Sequence, residues 1–232
     1  MTDLHTHILP GMDDGVETVH DALEMLRIQA EQGIDTVALT PHFYRHEESV
    51  ADFLGRREAA WKKLSQAVRG EVCPSMVLGA EVAWMPDISQ WPELELLCYQ
   101  NTKMLLVELP TVPWSGDIFA QLYGIENRRG IMPVIAHVDR YFRNQSKRNL
   151  YKLFTSGYPL QISAEAVLHL ANRRQALEVL KYCEGMLISD CHNLTTRPPK
   201  LGPAMALVEK KLGKRMAEEI ADITADILQQ EE

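Results

Sequence analysis

The sequence predicts an α/β fold built on parallel strands, closer to a distorted or incomplete β/α barrel than to an open doubly wound sheet. Three observations predict it. Short apolar, β-branched segments alternate with longer amphipathic ones along the chain, and seven such strand segments can be read. Glycine follows the helical patterns where a C-terminal stop belongs. Repeated strand–helix units with short loops favour parallel pairing and right-handed crossovers.

Taken in order, the first strand is T-D-L-H-T-H-I at 2–8, followed by a helical pattern over 22–32 that Gly33 stops. I-D-T-V-A-L-T-P-H at 34–42 is the second strand, and a helix over 50–68 ends before Gly70. Two strands follow, M-V-L-G-A-E-V at 76–82 and K-M-L-L-V-E-L at 103–109, then a helix over 118–129 closed by Gly130. M-P-V-I-A-H-V at 132–138 precedes a short helix over 149–156 with Gly157 behind it. L-Q-I-S-A at 160–164 leads to a helix over 173–183, and M-L-I-S-D-C-H at 186–192 is the last strand. From Ala204 onward the acidic, alanine-rich tail reads as one or two surface helices. No low-complexity stretch or Gly/Ser linker divides the chain, so a single domain over 1–232 is expected.

With 232 residues and 46% hydrophobic content, the chain is long enough to bury a full core. A net charge of −8 disfavours nucleic-acid partners held through phosphate contacts. No apolar run approaches the roughly 18 residues of a membrane span. The first residues carry no basic region followed by an apolar core, so the expected location is cytoplasmic. Cys73, Cys98, Cys183 and Cys191 are widely spaced, which reads as free thiols.

A barrel makes a demand: chemistry should gather at the C-terminal ends of its strands. Reading those ends gives His5 and His7, then His42, Glu81, Glu108, His137, and finally Asp190 with His192; Asp14 follows in the first loop. All nine are nitrogen or oxygen ligands suited to a divalent metal. Strand alternation puts Asp3, His5 and His7 on the inner face with Leu4, Thr6 and Ile8 opposite, and pairs Asp190 with His192. A single strand-end histidine is usually no more than a half-buried hydrogen-bonded residue. Nine ligand-type groups at equivalent positions are not explained that way, because burying them without cations would be costly. Asp3 would orient a ligand from behind. His20 and His169 read as surface residues, while His46 is a candidate for contacting substrate at the mouth.

Cys191 and Arg197 also fit C-x5-R, the pattern of thiolate phosphatases. The intervening H-N-L-T-T lacks the glycines that would let backbone N–H groups converge on phosphate, and alternation turns Cys191 away from Asp190 and His192. The metal reading is preferred.

On these residues the sequence resembles the PHP superfamily of polymerase and histidinol phosphatase domains. Within it, D-L-H-T-H-I-L-P-G-M-D-D-G at 3–15 is similar to the opening of the metal-dependent protein-tyrosine phosphatases of bacterial capsule and exopolysaccharide operons. T-P-H, G-A-E, V-E-L, P-V-I-A-H-V-D-R, S-D-C-H-N and R-P-P follow in the same order across the chain. The resemblance implies a distorted (β/α)7 TIM-like barrel carrying three divalent ions, with manganese expected and Fe, Zn, Co or Mg as alternatives. It implies His5, His7, Glu81 and Asp190 around the first ion, Glu81, Glu108 and His137 around the second, and Asp14, His42 and His192 around the third. Arg140 and Arg197 match the phosphate-facing arginines. Asp139 departs from the glutamate frequent before that first arginine, and the loops at 43–48 and 111–117 look particular to this chain.

The expected reaction is hydroxide attack on the phosphorus of a phosphotyrosine-containing protein, with the arginines stabilising the equatorial oxygens. By resemblance the partner is the tyrosine-rich tail of a membrane-associated bacterial tyrosine kinase. Two rivals remain: a small-molecule phosphatase acting on a substrate like histidinol phosphate, and a non-catalytic metal-binding kinase regulator.

Overall fold

The computed structural model describes residues 1–183 and 185–229. The described residues form an α/β fold in which every strand pairing is parallel. The strands are β1 (Thr2–Thr6), β2 (Thr36–Leu39), β3 (His42–Phe43), β4 (Ser75–Leu78), β5 (Glu81–Ala83), β6 (Met104–Glu108), β7 (Met132–Ile135), β8 (Leu160–Ser163) and β9 (Gly185–Ile188). They make a three-stranded sheet in the order β1-β2-β4 and a six-stranded sheet in the order β3-β5-β6-β7-β8-β9.

Two of the strands expected from sequence are therefore split. The second breaks at Thr40–Pro41, where proline offers no N–H to a ladder, and the third breaks at Gly79–Ala80. Hydrogen bonds still cross both breaks: Gly79 N donates to Leu39 O at 2.9 Å and Glu81 N to Pro41 O at 3.0 Å. At the other side of the molecule, Thr6 and Cys191 form an isolated parallel bridge. There His7 N donates to Cys191 O at 2.9 Å and Asp190 N to His5 O at 3.0 Å. The chain is thus two parallel sheets joined by short contacts, rather than one continuous closed ladder.

The helices are α1 (Val19–Glu31), α2 (Val50–Ala67), α3 (Asp117–Arg129), α4 (Lys147–Phe154), α5 (Ala164–Leu168), α6 (Leu170–Tyr182), α7 (Leu201–Leu212) and α8 (Lys214–Asp226). Serine and threonine caps set several starts. Thr18 accepts from Asp21 N ahead of α1, Ser49 from Asp52 N ahead of α2, and Ser146 from Asn149 N ahead of α4. The cap at Thr18 starts α1 three residues before the expected position. Gly33 takes φ +76° to end the same segment. Ser163 caps α5 directly after β8, a turn of helix absent from the sequence reading.

The buried apolar residues fall into two clusters. The larger fills the layer between strands and helices and includes Val37, Leu39, Leu105, Val107 and Leu187. The smaller gathers Leu4, Ala38, Leu106, Val134, Ala136, Met186 and Ile188, the alternate residues of the same strands, with Tyr99 and Ile227. Leu4 thus lies on the inner face, and the simple alternation expected for β1 is corrected. Asp3 pairs with Val37 but Thr6 pairs with Leu39, so three steps on β1 oppose two on β2. This bulge shifts the phase. Asp3 points to α1, where Gln29 Nε2 donates to it at 2.6 Å, while Leu4 and His5 both lie beyond the switch. No helix among the described residues is long and apolar enough to cross a membrane.

Candidate metal centre

The bulged end of β1 delivers His5, and the residue after Thr6 delivers His7. His42 and Glu81 begin β3 and β5 in register with one another, and Glu108 ends β6. His137, Asp190 and His192 follow β7 and β9. His137 and Asp190 adopt positive φ of 25° and 52°, conformations that cost a non-glycine residue about 1–3 kcal/mol and cluster at functional sites. Eight of the nine residues expected from sequence are buried or half-buried; Asp14 is the exposed one.

Glu81 is the hub. Its Oε2 lies 3.0 Å from His5 Nε2, 3.3 Å from His7 Nε2 and 3.0 Å from His42 Nδ1. Its Oε1 lies 2.7 Å from His137 Nε2, which is 3.6 Å from Glu108 Oε1. Asp190 Oδ1 stands 3.7 Å from the Nε2 atoms of both His5 and His7. Asp14 Oδ1 reaches to 3.6 Å from His42 Nε2 and 3.4 Å from His192 Nε2. Ligand-type atoms converge within 4.8 Å of one another in three groups: His7, Asp14, His42 and His192; His5, His7 and Glu81; and His42, Glu81 and Glu108. These overlap the three expected sets without matching them: His7 and His42 each fall in two groups, while His137 and Asp190 fall in none.

Do these atoms fit cations? Glu81 Oε2, Asp190 Oδ1, His42 Nδ1 and His192 Nε2 are buried, yet none makes a directed hydrogen bond. Buried polar atoms are otherwise almost always paired. The imidazoles are also turned correctly. Gln161 donates through Nε2 to Tyr99 Oη, so its Oε1 accepts from His5 Nδ1 at 2.9 Å. His7 Nδ1 donates to Asp13 Oδ2 at 2.6 Å, and His192 Nδ1 to the Asp190 carbonyl at 3.0 Å. With Nδ1 engaged outward, each Nε2 presents its lone pair inward, the arrangement metal-binding histidines use. The site is built for positive charge.

The electrostatics agree. Burial opposes charging His7, but the hydrogen bond to Asp13 and the nearby Glu81 carboxylate outweigh this and push it up to about 10. Burial would raise Glu81 and Asp190, yet the histidines around both hold them below the usual carboxylate range. His192 goes the other way, to about 3, through burial and the charge on His7.

Two of these supporting residues escaped the sequence reading. Asp13 takes three hydrogen bonds: from His7, from His42 N at 2.8 Å, and from Gly15 N at 3.0 Å. The D-D doublet was the available signal. Gln161 was signalled only by a polar residue inside an apolar strand. Gly15 is required for closeness, because a Cβ there would lie 2.2 Å from His7 O. Asp3 does not orient an imidazole. It accepts from Ser189 N at 3.0 Å and His5 N at 3.4 Å, tying β1 to the end of β9.

Arg140 and Arg197 reach the same atom, Asp190 Oδ2, at 2.7 and 2.8 Å. Arg140 also donates to Glu108 Oε1 at 3.2 Å. The turn that carries Arg140 is pinned on both sides. Asp139 accepts from Ser163 N and Oγ at 2.8 and 2.9 Å, and Tyr141 Oη bonds both backbone groups of Leu109. His46 is exposed and outside the three groups, with its ring 5.9 Å from Tyr44, whose own ring stacks 5.3 Å from His42. Trp114, in the loop at 111–117, is buried against Tyr141. Cys191 is wholly buried behind the site beside Gln29, and burial with Asp3 nearby raises its thiol well above the ordinary range. A thiolate nucleophile has no place there.

Known proteins resemble this chain over nearly its whole length. Residues 1–228 match the family model for capsular polysaccharide synthesis, CpsB/CapC. The tyrosine-protein phosphatase YwqE of Bacillus subtilis is 30% identical over 93% of this chain and 87% of its own length. The tyrosine-protein phosphatase CpsB of Streptococcus pneumoniae is 28% identical, covering 95% of this chain and 94% of its own. A solved chain from the work describing these two as unique metal-dependent tyrosine phosphatases superposes with a TM-score of 0.87 at 25% identity, over 100% of this chain and 96% of that one. With the family model spanning nearly its whole length, this chain belongs to the CpsB/CapC family of capsular polysaccharide synthesis proteins.

Proposed function

We propose that this chain is a metal-dependent protein-tyrosine phosphatase that removes phosphate from tyrosine on a protein partner. The observation that carries the reading is the convergence of unpartnered buried lone pairs on one side of Asp190 and two guanidiniums on the other. Relatives across the family carry the name tyrosine-protein phosphatase, which supports the same reaction. We assign three divalent ions, manganese foremost, to His5, His7, Asp14, His42, Glu81, Glu108, His137, Asp190 and His192. The overlapping ligand groups and the donor chemistry support the assignment. When bound, these ions supply Lewis acidity and water activated near neutral pH.

The chain's own residues do the rest. Arg140 and Arg197 bind the phosphate and stabilise charge on its equatorial oxygens as the bond to tyrosine breaks. Asp13 holds the proton on His7 Nδ1, and Gln161 holds it on His5 Nδ1, so both rings keep their inward lone pairs. A tyrosyl leaving group, with a pKa of about 10, needs less help from an acid than an alkoxide would. The two sheets are read as one distorted (β/α)7 barrel and residues 1–232 as a single domain, on the support of the contacts joining β1 to the segment after β9. The partner is read as the tyrosine-rich tail of a membrane-associated bacterial kinase, acted on in the cytoplasm; the capsule-synthesis family supports that setting.

The test combines metal analysis with turnover of a phosphotyrosine peptide, a phosphoserine peptide and histidinol phosphate. Metal-dependent turnover led by the phosphotyrosine peptide is expected. Preference for histidinol phosphate would overturn the reading, and so would retained metal with no phosphoester turned over.

A further inference from the structure

Two cavities open beside the arginine pair, of about 230 and about 480 Å³. They share Asp139, Arg140, Ser163 and Glu165 as a common wall, so together they form one groove across the end of β8 and the start of α5. One end runs to Thr196, Arg197 and Lys200; the other runs to Arg143, Asn144 and Asn172. The apolar side chains lining it are all alanines and His169 supplies its one ring, so no broad apolar wall is present to receive a hydrophobic side chain. Hydroxyl, amide and cationic groups dominate instead.

The acids of the groove are already engaged. Both oxygens of Asp139 are taken by Ser163, Asp190 Oδ2 holds both guanidiniums, and Glu165 pairs with Lys200 at 3.4 Å. Arg143 is exposed and touches Asn172 Oδ1 at 3.4 Å; among the described residues no carboxylate lies within ion-pair distance of it. Four cations, Arg140, Arg143, Arg197 and Lys200, thus stand along a groove with three carboxylates, and of these cations Arg143 is the one with no carboxylate in ion-pair range among the described residues. Such a surface suits an extended, polar, anionic chain.

We infer that this groove binds acidic residues flanking the phosphotyrosine of the substrate protein, with Arg143 and Lys200 reading them at its two ends. The inference rests on the phosphatase reading and extends it to substrate choice. Each rim cation contributes about a twofold to fivefold preference at low salt, fading as ionic strength rises.

The test uses two peptides in which phosphonomethylphenylalanine replaces phosphotyrosine, one flanked by Asp and Glu, the other by Ser and Gly. Their binding is compared between the wild-type protein and the R143E/K200E variant, alongside turnover of p-nitrophenyl phosphate, which has no flanks. The wild type should bind the acidic peptide about tenfold more tightly. The variant should lose that preference while turning over p-nitrophenyl phosphate within about twofold of wild type. Equal binding of both peptides by the wild type, a preference kept by the variant, or equal losses on all three probes would overturn the inference. Should wild-type protein hydrolyse no phosphotyrosine substrate yet show the preference and its loss, the groove stands and the phosphatase reading falls.

Discussion

Replacing Asp13 with asparagine keeps the shape of a side chain that only accepts and turns half of it into a donor. Asp13 Oδ2 accepts from both His7 Nδ1 and His42 N, and Oδ1 accepts from Gly15 N. If the amide oxygen takes the Oδ2 place, the NH2 group faces the Gly15 N–H; reversed, it faces two donors. One orientation creates one donor–donor meeting and the other two, and in either the bond to His7 loses its charge. An unpaired buried donor costs about 1–3 kcal/mol, and a neutral acceptor gives roughly half the strength of a charged one. The side chain is only 6% exposed, so water does little to relieve the loss. Losing the carboxylate that orients a ligating histidine typically weakens metal binding about tenfold to a hundredfold. Titration of the metal-free variant against a competing chelator should show that drop for ions held through His7, with thermal unfolding retaining a cooperative transition. A folded Asp13→Asn protein that binds every ion as tightly as wild type would refute the orienting role.

Three further outcomes follow from the same geometry. Arg140→Ala should cut phosphotyrosine turnover about a hundredfold or more while metal content stays unchanged, since Arg140 supplies no ligand atom itself and meets only the outer oxygen of Asp190 and one oxygen of Glu108; loss of metal along with turnover would contradict its assignment to phosphate. Cys191→Ser should leave turnover within a few-fold of wild type and a chelator should abolish it, whereas the reverse pattern would restore the thiolate mechanism. His7, raised to about 10 in the metal-free protein, is cationic at neutral pH and must shed a proton to ligate. Metal binding should therefore release a proton, and apparent affinity should climb about tenfold per pH unit until near pH 10; calorimetry in buffers of different ionisation enthalpy measures this, and a proton count of zero would exclude it.

Much of the site was legible because barrel-like folds place chemistry at one end of their strands, and period-two patterns show where strands end. His5, His7, Glu81, His137 and Asp190 were found that way, and the structure brings them together around Glu81. What stayed hidden depended on tertiary contacts. The bulge in β1 answers to β2, thirty-odd residues away, and no local pattern announces it. Asp13 and Asp14 are chemically alike, and only the fold decides that Asp13 turns to His7 and the other to His42 and His192. Gln161 reveals its purpose through His5, on the far side of the chain. His46, attractive by type and position, is left in solvent by the turn at 44–47. The helix α5 was missed because one capping serine, read as the end of a strand, also begins a helix.

Asp190 has one further consequence. One of its oxygens is held by both arginines while the other is left to the imidazoles, and the residue sits in a strained left-handed backbone that the surrounding bonds must enforce. A cation held through the inner oxygen would draw electron density inward and loosen the grip of the outer oxygen on the guanidiniums, leaving them better able to take an oxyanion. Linkage makes the effect reciprocal: whatever factor the cation adds to oxyanion affinity, the oxyanion must add to cation affinity. An enzyme wired through a single carboxylate in this way would hold its ions most firmly while occupied by phosphate, and would be most open to exchanging them between turnovers.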